Sequence, residues 1–448
     1  MTRELILGIL LEVTRDGEYS HIALRNVLNK YQYLGKKDRA FITRVTEGTL
    51  EHMIEIDYII NQFSKVKVNK MKPVIRTILR SAVYQMKYMD SVPNSAACNE
   101  AVKLAVKKGF SNLKGFVNGV LRNIDRNLGQ ITYPDETNLL EYLHVKYSMP
   151  QWILDQWLAE YDRETVEIML QDFQKEKPTT IRCNLNNTTK EELIDALKQE
   201  GVQVKEHPYL PYALEIWGYD YLADLESFQQ GAFYVQDISS MLVSHIANPK
   251  EGDMVLDVCA APGGKALHMA ELLRDTGHVE ARDLTDYKVD LIRDNIDRTG
   301  VQNMDAVKWD ATVTDENMLE KVDVLVADLP CSGLGVLGKK TDLKYKMSAQ
   351  TQEDLADLQR NILSTVQAYV KPGGTLIYST CTIHKEENEG NVLWFLEQFP
   401  EYELVPLKDS LCQELQESVK EEGCLQLLPG IHESDGFFIA KFKKVNHG

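Results

Sequence analysis

The chain has 448 residues, 44% of them hydrophobic and 26% charged, with a formal net charge of −17. That length exceeds one ordinary core, so two or three domains are expected, and the composition excludes a disordered chain. Seven cysteines without a C-x-x-C pair argue against a disulfide framework and a structural zinc site, so no metal is expected.

The opening stretch "MTRELILGILLEV" has Arg3 and Glu4 ahead of seven uninterrupted apolar residues. It reads as an amphipathic first helix and not as a signal peptide. No stretch approaches the roughly 18 apolar residues of a membrane span, and a reducing cytoplasm is the expected location. Apolar positions then recur at three and four up to about residue 127, as in "FITRVTEGTLEHMIEIDYIINQF", which predicts helix throughout. Breaks are expected at Pro93 and Asn94 and at "KKGFSN", and the periodicity is lost in "DRNLGQITYPDETN". A helical domain over 1–130 follows. Between Lys65 and Arg126 it holds 13 Lys or Arg against three acids, a net of +10, while the rest of the chain carries −27. Such a block suits a phosphate-binding face, although solvated helix surfaces also gather lysine and arginine.

Residues 139–230 open with helical pattern around "QWILDQWLAEY" and "ETVEIMLQDFQ". They alternate in "TTIRCNL", run helical through "TKEELIDALKQEGV" and return to extended sequence in "PYALEIWGYDYL". This predicts a small α+β domain. From 231 to 446 strands and helices alternate: "MVLDVCA", "KALHMAELLRDTG", "HVEARD", "DYKVDLIRDNIDRTG", "MDAVKWD", "KVDVLVADLP", "GTLIYSTCT" and "GFFIAKFK". Near-continuous apolar strands separated by helices predict a Rossmann-like α/β domain with a parallel sheet covered on both faces. Ligands of such a sheet bind outside the carboxyl ends of its strands.

The loop "DVCAAPGGK" follows the first of these strands. Its residues Cys259, Ala260, Ala261, Pro262, Gly263, Gly264 and Lys265 leave room for a ligand beside the main chain, with free N–H groups at the next helix. It is not the G-x-G-x-x-G dinucleotide fingerprint. Asp283 ends the second strand, 19 residues past Gly264, where an acid can accept from a ribose diol. Asp310 ends the third strand, on the adenine side of the same ligand. Asp328 and Cys331 flank the rigid Pro330, and Cys381 follows the next strand, so neighbouring strand ends would bring both thiols into one site. Cys98, Cys183, Cys412 and Cys424 read as small buried hydrophobes.

"DVCAAPGGK", "DLPCSGLGVL", "YSTCTIHKEENE" and "LLPGIHESDGFF" together resemble the S-adenosyl-L-methionine-dependent RNA cytosine-5 methyltransferases. "FYVQDISSML" is similar to the segment before that family's cofactor loop, and "PTTIRCN" to its RNA-contacting strand. "VPNSAACNEAVKLA" with "KGFVNGVLRNI" resembles a NusB-like domain, the arrangement of the bacterial 16S ribosomal RNA branch called Sun or Fmu, whose target is cytosine 967. The resemblance implies a multidomain chain: NusB-like all-α, small α+β, and class I methyltransferase. It implies S-adenosyl-L-methionine as cofactor and 16S ribosomal RNA as partner, free or within an assembling particle. It implies a monomer that binds neither DNA nor membrane.

Carbon 5 of cytosine becomes nucleophilic only after a thiolate adds to carbon 6, which is covalent catalysis. The resemblance assigns the attack to Cys381, release of the adduct to Cys331, ring orientation and a border of the cofactor site to Asp328, and a positioning role to Lys265. The Pro330-Cys331 pair also fits the DNA cytosine-5 pattern, which nominates Cys331 as nucleophile. "STCT" on the next strand and the RNA-type accessory domains favour Cys381. The chain departs from the family at Leu329, Gly338, Thr341 and Thr382, where alanine, a basic residue, proline and serine are usual. Alternatives are a non-catalytic RNA-binding or ribosome-assembly factor, and cytosine-5 methylation of another RNA such as tRNA. Methylation of an exocyclic amine is a third, marked by an Asn/Asp-Pro-Pro-aromatic sequence in place of "DLPC".

Overall fold

Apolar residues at three- and four-residue spacing fold the first segment into the helices Thr2–Thr14, Ser20–Lys30, Lys36–Glu51, Met53–Phe63, Pro73–Tyr88, Asn94–Lys107 and Lys114–Asn127. The computed structural model describes residues 1–274, 276–419 and 422–445, so the expected domain end at 446 lies outside them. The helix Pro73–Tyr88 starts with a proline, whose missing N–H costs nothing in a first turn, and buries Ile75, Ile78, Leu79, Ala82 and Val83. Ile6, Leu10, Ile42, Val45, Ile59, Val117 and Leu121 complete that core. Gly48 makes room for the Tyr84 ring, because a Cβ there would lie 2.1 Å from Tyr84 Cζ. Both expected breaks are real: Pro93 caps one helix, and Gly109 takes φ +87° in the next link. Among the described residues no helix is long and apolar enough to cross a membrane.

Helices Leu139–Lys146, Gln151–Glu160 and Arg163–Phe173 extend this first compact unit, which ends at Lys175 and takes in the distant segment Leu337–Met347. Within it Asp342 accepts from Ser20 N at 3.0 Å and Ser20 Oγ at 2.6 Å. Lys344 Nζ donates to Glu51 O at 2.8 Å, and Lys346 Nζ to Gly17 O at 2.6 Å. Gly338 and Thr341, two of the departures from the family pattern, lie here. A Cβ on Gly338 would be 3.1 Å from Phe173 O, which leaves little space for a longer residue, and Thr341 is buried.

The second unit contains two sheets. Strands β1 (Thr179–Cys183), β2 (Gln203–Glu206), β3 (Ala213–Trp217) and β4 (Phe233–Val235) form an antiparallel sheet in the order β2-β3-β1-β4. The helix Lys190–Gln199, closed by a Thr189–Glu192 capping box, shares a core with Ile181, Cys183, Leu214 and Ile216. The larger sheet comprises β5 (Met254–Asp257), β6 (His278–Asp283), β7 (Met304–Lys308), β8 (Val322–Asp328), β9 (Val370–Thr380), β10 (Tyr402–Leu404), β11 (Cys424–Leu427) and β12 (Phe437–Lys444). Its order is β10-β12-β9-β8-β5-β6-β7, with β11 also paired to β12. Strands β9, β8, β5, β6 and β7 are parallel as expected, whereas β12 runs antiparallel to β9, β10 and β11. The sheet is therefore mixed. The chain builds from β5 outward to β7, then crosses back to place β8 on the other side of β5. This makes the carboxyl ends of β5 and β8 the switch point where a crevice opens.

Candidate active site

The loop after β5 is shaped by hydrogen bonds to its own neighbours. Gly263 takes φ +104°, favoured for glycine, and its N–H donates to Ala260 O at 2.7 Å before the helix Gly264–Leu272 begins. Ala260 N donates to Arg282 O at 2.8 Å, and Ala261 N to Asp283 Oδ2 at 3.0 Å, so the end of β6 supports the loop. Cys259 contributes its N–H, which donates to Asp257 Oδ1 at 3.4 Å, while burial and nearby carboxylates push its thiol pKa up. Pro262 is exposed, and its carbonyl accepts from Asn295 Nδ2 at 3.1 Å.

Asp283 is buried, accepting also from Leu284 N at 2.8 Å and facing Lys288 Nζ at 3.0 Å. Asp310 is placed differently. It is exposed, and its carboxylate turns back on Thr312 N at 2.9 Å and Thr312 Oγ1 at 2.7 Å, bonds that hold its pKa below the usual range. The preceding Trp309 N donates to Asp283 O at 3.0 Å, so Asp310 stands on the same rim as Asp283.

At the end of β8, Asp328 Oδ2 accepts from Lys265 Nζ at 2.6 Å and Asp328 Oδ1 from Ser379 Oγ at 2.9 Å. The side chains of Lys265 and Asp328 remain 13% and 24% exposed, enough for a ligand to reach them. Burial alone would lower the Lys265 pKa, but the charge and hydrogen bond of Asp328 carry it upward. Parallel pairing of β8 with β9 brings the two thiols together: Cys331 Sγ and Cys381 Sγ are 3.3 Å apart. The hydrogen bond to Cys381 and burial push the Cys331 pKa well up, and the nearby Glu387 and Asp328 charges add to this.

Several residues of this site carried no signal as single letters. Asp257 opens the quoted loop, yet only the structure shows it fully buried, with burial raising its pKa to about 7 against the pull of Lys265. Ser379, Ser332 and Glu387 line the two thiol-bearing turns and read in sequence as ordinary polar residues, and Thr382, noted only as a departure from the family pattern, joins them. Arg182, in the strand expected to contact RNA, is 1% exposed and turned inward. It pairs with Glu271 at 2.7 Å and donates to Gly264 O at 2.9 Å, bracing the loop after β5.

Among the described residues one group of potential metal ligands, His207, Glu215 and Glu433, has ligand atoms within 4.8 Å of one another. Lys205 Nζ already supplies a positive charge there, 3.1 Å from Glu215 and 3.8 Å from Glu433. His207 is held through Nε2 by Glu433 O at 3.0 Å and through Nδ1 by Tyr209 N at 3.3 Å.

Around the switch point the carboxylates of Asp283, Asp328 and, on the rim, Asp310 outnumber the ammonium groups of Lys265 and Lys288, while the buried Asp257 adds full charge only above about pH 7. A net negative crevice beside a loop of small residues fits a sulfonium cation carrying a ribose, and a mixed sheet with this strand order is the frame of a class I S-adenosyl-L-methionine-dependent methyltransferase. Comparison with known proteins narrows that class. The profile of the RsmB/F 16S rRNA methyltransferases matches residues 244–443, the NusB family residues 1–126, and the RsmF/B-like ferredoxin-like domain residues 149–218. A probable ribosomal RNA small subunit methyltransferase B of Bacillus subtilis (strain 168) is 35% identical over 99% of this chain and 98% of its own. The crystal structure of PH0851 is 28% identical, covers 99% of this chain and 98% of that one, and superimposes with a TM-score of 0.83. NSun6 from Pyrococcus horikoshii, solved with SFG, shares the fold at 24% identity and a TM-score of 0.60, over 68% of this chain and 100% of that one. The chain belongs to the RsmB/F family of S-adenosyl-L-methionine-dependent ribosomal RNA methyltransferases.

Proposed function

We propose that the protein methylates carbon 5 of one cytosine in 16S ribosomal RNA, cytosine 967, through a covalent adduct on Cys381. The observation that carries this reading is the 3.3 Å approach of Cys331 Sγ to Cys381 Sγ, beside the Lys265–Asp328 pair. A module that only binds RNA has no use for two facing thiols next to a negative crevice.

The loop Cys259–Gly264 and Asp283 hold S-adenosyl-L-methionine, with Asp310 on the adenine side of the rim. When bound, it supplies an electrophilic methyl group. Cys381 attacks as thiolate, forming a bond from sulfur to carbon 6 and leaving carbon 5 electron-rich. Asp328, oriented by Lys265 and Ser379, faces the cytosine and orients its ring, and the Lys265 ammonium beside it offsets the charge that develops on the ring nitrogen. After carbon 5 has gained the methyl group, a base removes its proton. The electron pair of that C–H bond reforms the ring double bond, and Cys381 leaves as thiolate. Cys331, set against Cys381, serves this resolving half of the reaction. A cytosine inside a duplex cannot be reached this way, so the target lies in a loop or is flipped out.

Tritium transfer from labelled S-adenosyl-L-methionine to 16S RNA tests the activity, and bisulfite mapping reads the position. Folded protein that labels nothing sinks the proposal, and label confined to tRNA redirects it. In the variants, Cys381→Ala loses turnover and forms no adduct, whereas Cys331→Ala accumulates an adduct seen as a shifted band on a denaturing gel. A band trapped by Cys381→Ala reverses the assignment. The enzyme is read as a monomer in the cytoplasm, acting on RNA without DNA or membrane partners; sedimentation of the purified chain tests the monomer.

A further inference from the structure

Between the two thiol-bearing turns lies a carboxylate that the chemistry above does not use. Glu387 belongs to a five-residue π-helical turn, Glu386–Gly390, that leads into the helix Asn391–Gln398. In "HKEENEG" the neighbouring Glu386 is exposed while Glu387 has no exposed surface at all. A buried carboxylate is expensive unless donors meet it, and here they converge from both turns. Glu387 Oε2 accepts from Ser332 N at 2.8 Å and from Gln359 Nε2 at 3.0 Å. Glu387 Oε1 accepts from Ser332 Oγ and faces His384 Nδ1 at 3.2 Å.

These partners adjoin the reacting sulfurs. Ser332 follows Cys331, and the same Gln359 Nε2 donates to Pro330 O at 2.8 Å, so Glu387 and Gln359 grip the main chain on both sides of Cys331. Thr382 follows Cys381, with its Oγ1 2.8 Å from Ser332 Oγ. Gly335 N donates to Cys381 O at 3.1 Å, closing the link between the turns. The peptide N–H after Cys331 thus points at a fixed negative charge, which sets the direction of the Cys331 side chain. That charge also favours the protonated Cys331 thiol. An amide at this position would remove the charge and, with its NH2 in place of Oε1, would make Ser332 Oγ and His384 Nδ1 accept where they now meet an acceptor, loosening the grip on the turn.

We propose that Glu387 is a positioning residue for resolution of the adduct: through Ser332 and Gln359 it holds the Cys331 thiol against Cys381, where the adduct must be released. The inference rests on the Cys381 attack and Cys331 release read above. Glu387→Gln in the full-length protein tests it, with single-turnover reactions on 16S RNA and S-adenosyl-L-methionine followed on denaturing gels. Adduct formation and both KM values stay within about twofold of the parent, while adduct decay slows about tenfold or more, as expected when a reacting group is misplaced by a fraction of an ångström. Because Glu387 acts through Cys331, the double variant Glu387→Gln/Cys331→Ala resolves no more slowly than Cys331→Ala alone. Ser332→Ala, which removes one donor and leaves the carboxylate in place, gives the same selective slowing and decides the matter if Glu387→Gln does not fold. Adduct decay at the parent rate in the folded variants, or additive slowing in the double variant, overturns the proposal. If Cys331→Ala accumulates no adduct and Cys381→Ala keeps its turnover, it is the underlying reading that falls.

Discussion

A carboxyl group without water around it resists ionisation, and Asp257 at the end of β5 is such a group, 1% exposed with its pKa raised to about 7. In the unfolded chain it titrates at its ordinary value of 3.8. Between these values the folded state keeps a proton that the unfolded state has lost, so stability falls as pH rises through that window and levels off above it. Asp257→Asn removes the penalty. Its stability gain over the parent, absent near pH 4, grows to at most about 4 kcal/mol near pH 7 and then stays level. Urea melts of both proteins at several pH values measure this, and a gain that shrinks with rising pH contradicts it. Cys331, Cys381, Asp328 and Lys265 were legible as candidates because each stands at the end of a recognisable apolar strand or in the turn or helix start that follows it. Asp257 and Glu387 were not, since burial of an acid is decided by chain segments far away in sequence. "KEENE" reads as a solvated run, and only the wide turn at 386–390 drives one of its acids inside.

Among the elements, the two thiol-bearing turns meet through glycine. A Cβ on Gly335 would lie 2.0 Å from Gly436 O and 2.9 Å from Cys381 O, with main chain on both sides and nothing able to yield. Gly335→Ala displaces the end of β9 or the turn after β8 and lowers kcat about a hundredfold, with RNA affinity retained. Initial-rate assays beside filter binding check this. The brace from β1 to the helix Gly264–Leu272 gives a different signature. Arg182→Met leaves Glu271 buried without its partner, a loss of about 3–5 kcal/mol, and raises KM for S-adenosyl-L-methionine as the loop loosens. Thermal melts and cofactor titration follow both effects, and an unchanged melt contradicts the brace. The five parallel strands followed from near-continuous apolar runs separated by helices, but the same pattern carries no direction. The antiparallel β12 was therefore not legible, because "GFFIAKFK" is as apolar as its parallel neighbours and its direction is fixed by pairing with β9 and β11.

Across the whole molecule, charge is divided between an acidic chain and a basic helical segment. Of its cations, Lys65, Lys70 and Lys72 are exposed, whereas Lys107 and Lys108 bond Glu4 at 2.7 and 2.8 Å, Lys103 bonds Glu100 at 2.8 Å, and Arg80 is buried against Asp57. The +10 count in the sequence thus overstates the charge open to phosphate. Neutralising Lys65, Lys70 and Lys72 to glutamine reduces the slope of log affinity against log salt by about two to three, and an unchanged slope assigns RNA binding elsewhere. The tie of Leu337–Met347 to the helical unit was equally hidden, since it rests on Asp342, Lys344 and Lys346 meeting residues some 300 positions earlier. The central claim remains the division of labour between two thiols 3.3 Å apart. Its most direct test is the unaltered protein with S-adenosyl-L-methionine and a 16S RNA carrying 5-fluorocytosine at the target, because fluorine cannot leave as a proton and the adduct cannot resolve. After nuclease and protease digestion, mass spectrometry finds the methylated nucleotide on the peptide containing Cys381. A nucleotide on the Cys331 peptide, or methylated RNA without any covalent species, contradicts the account.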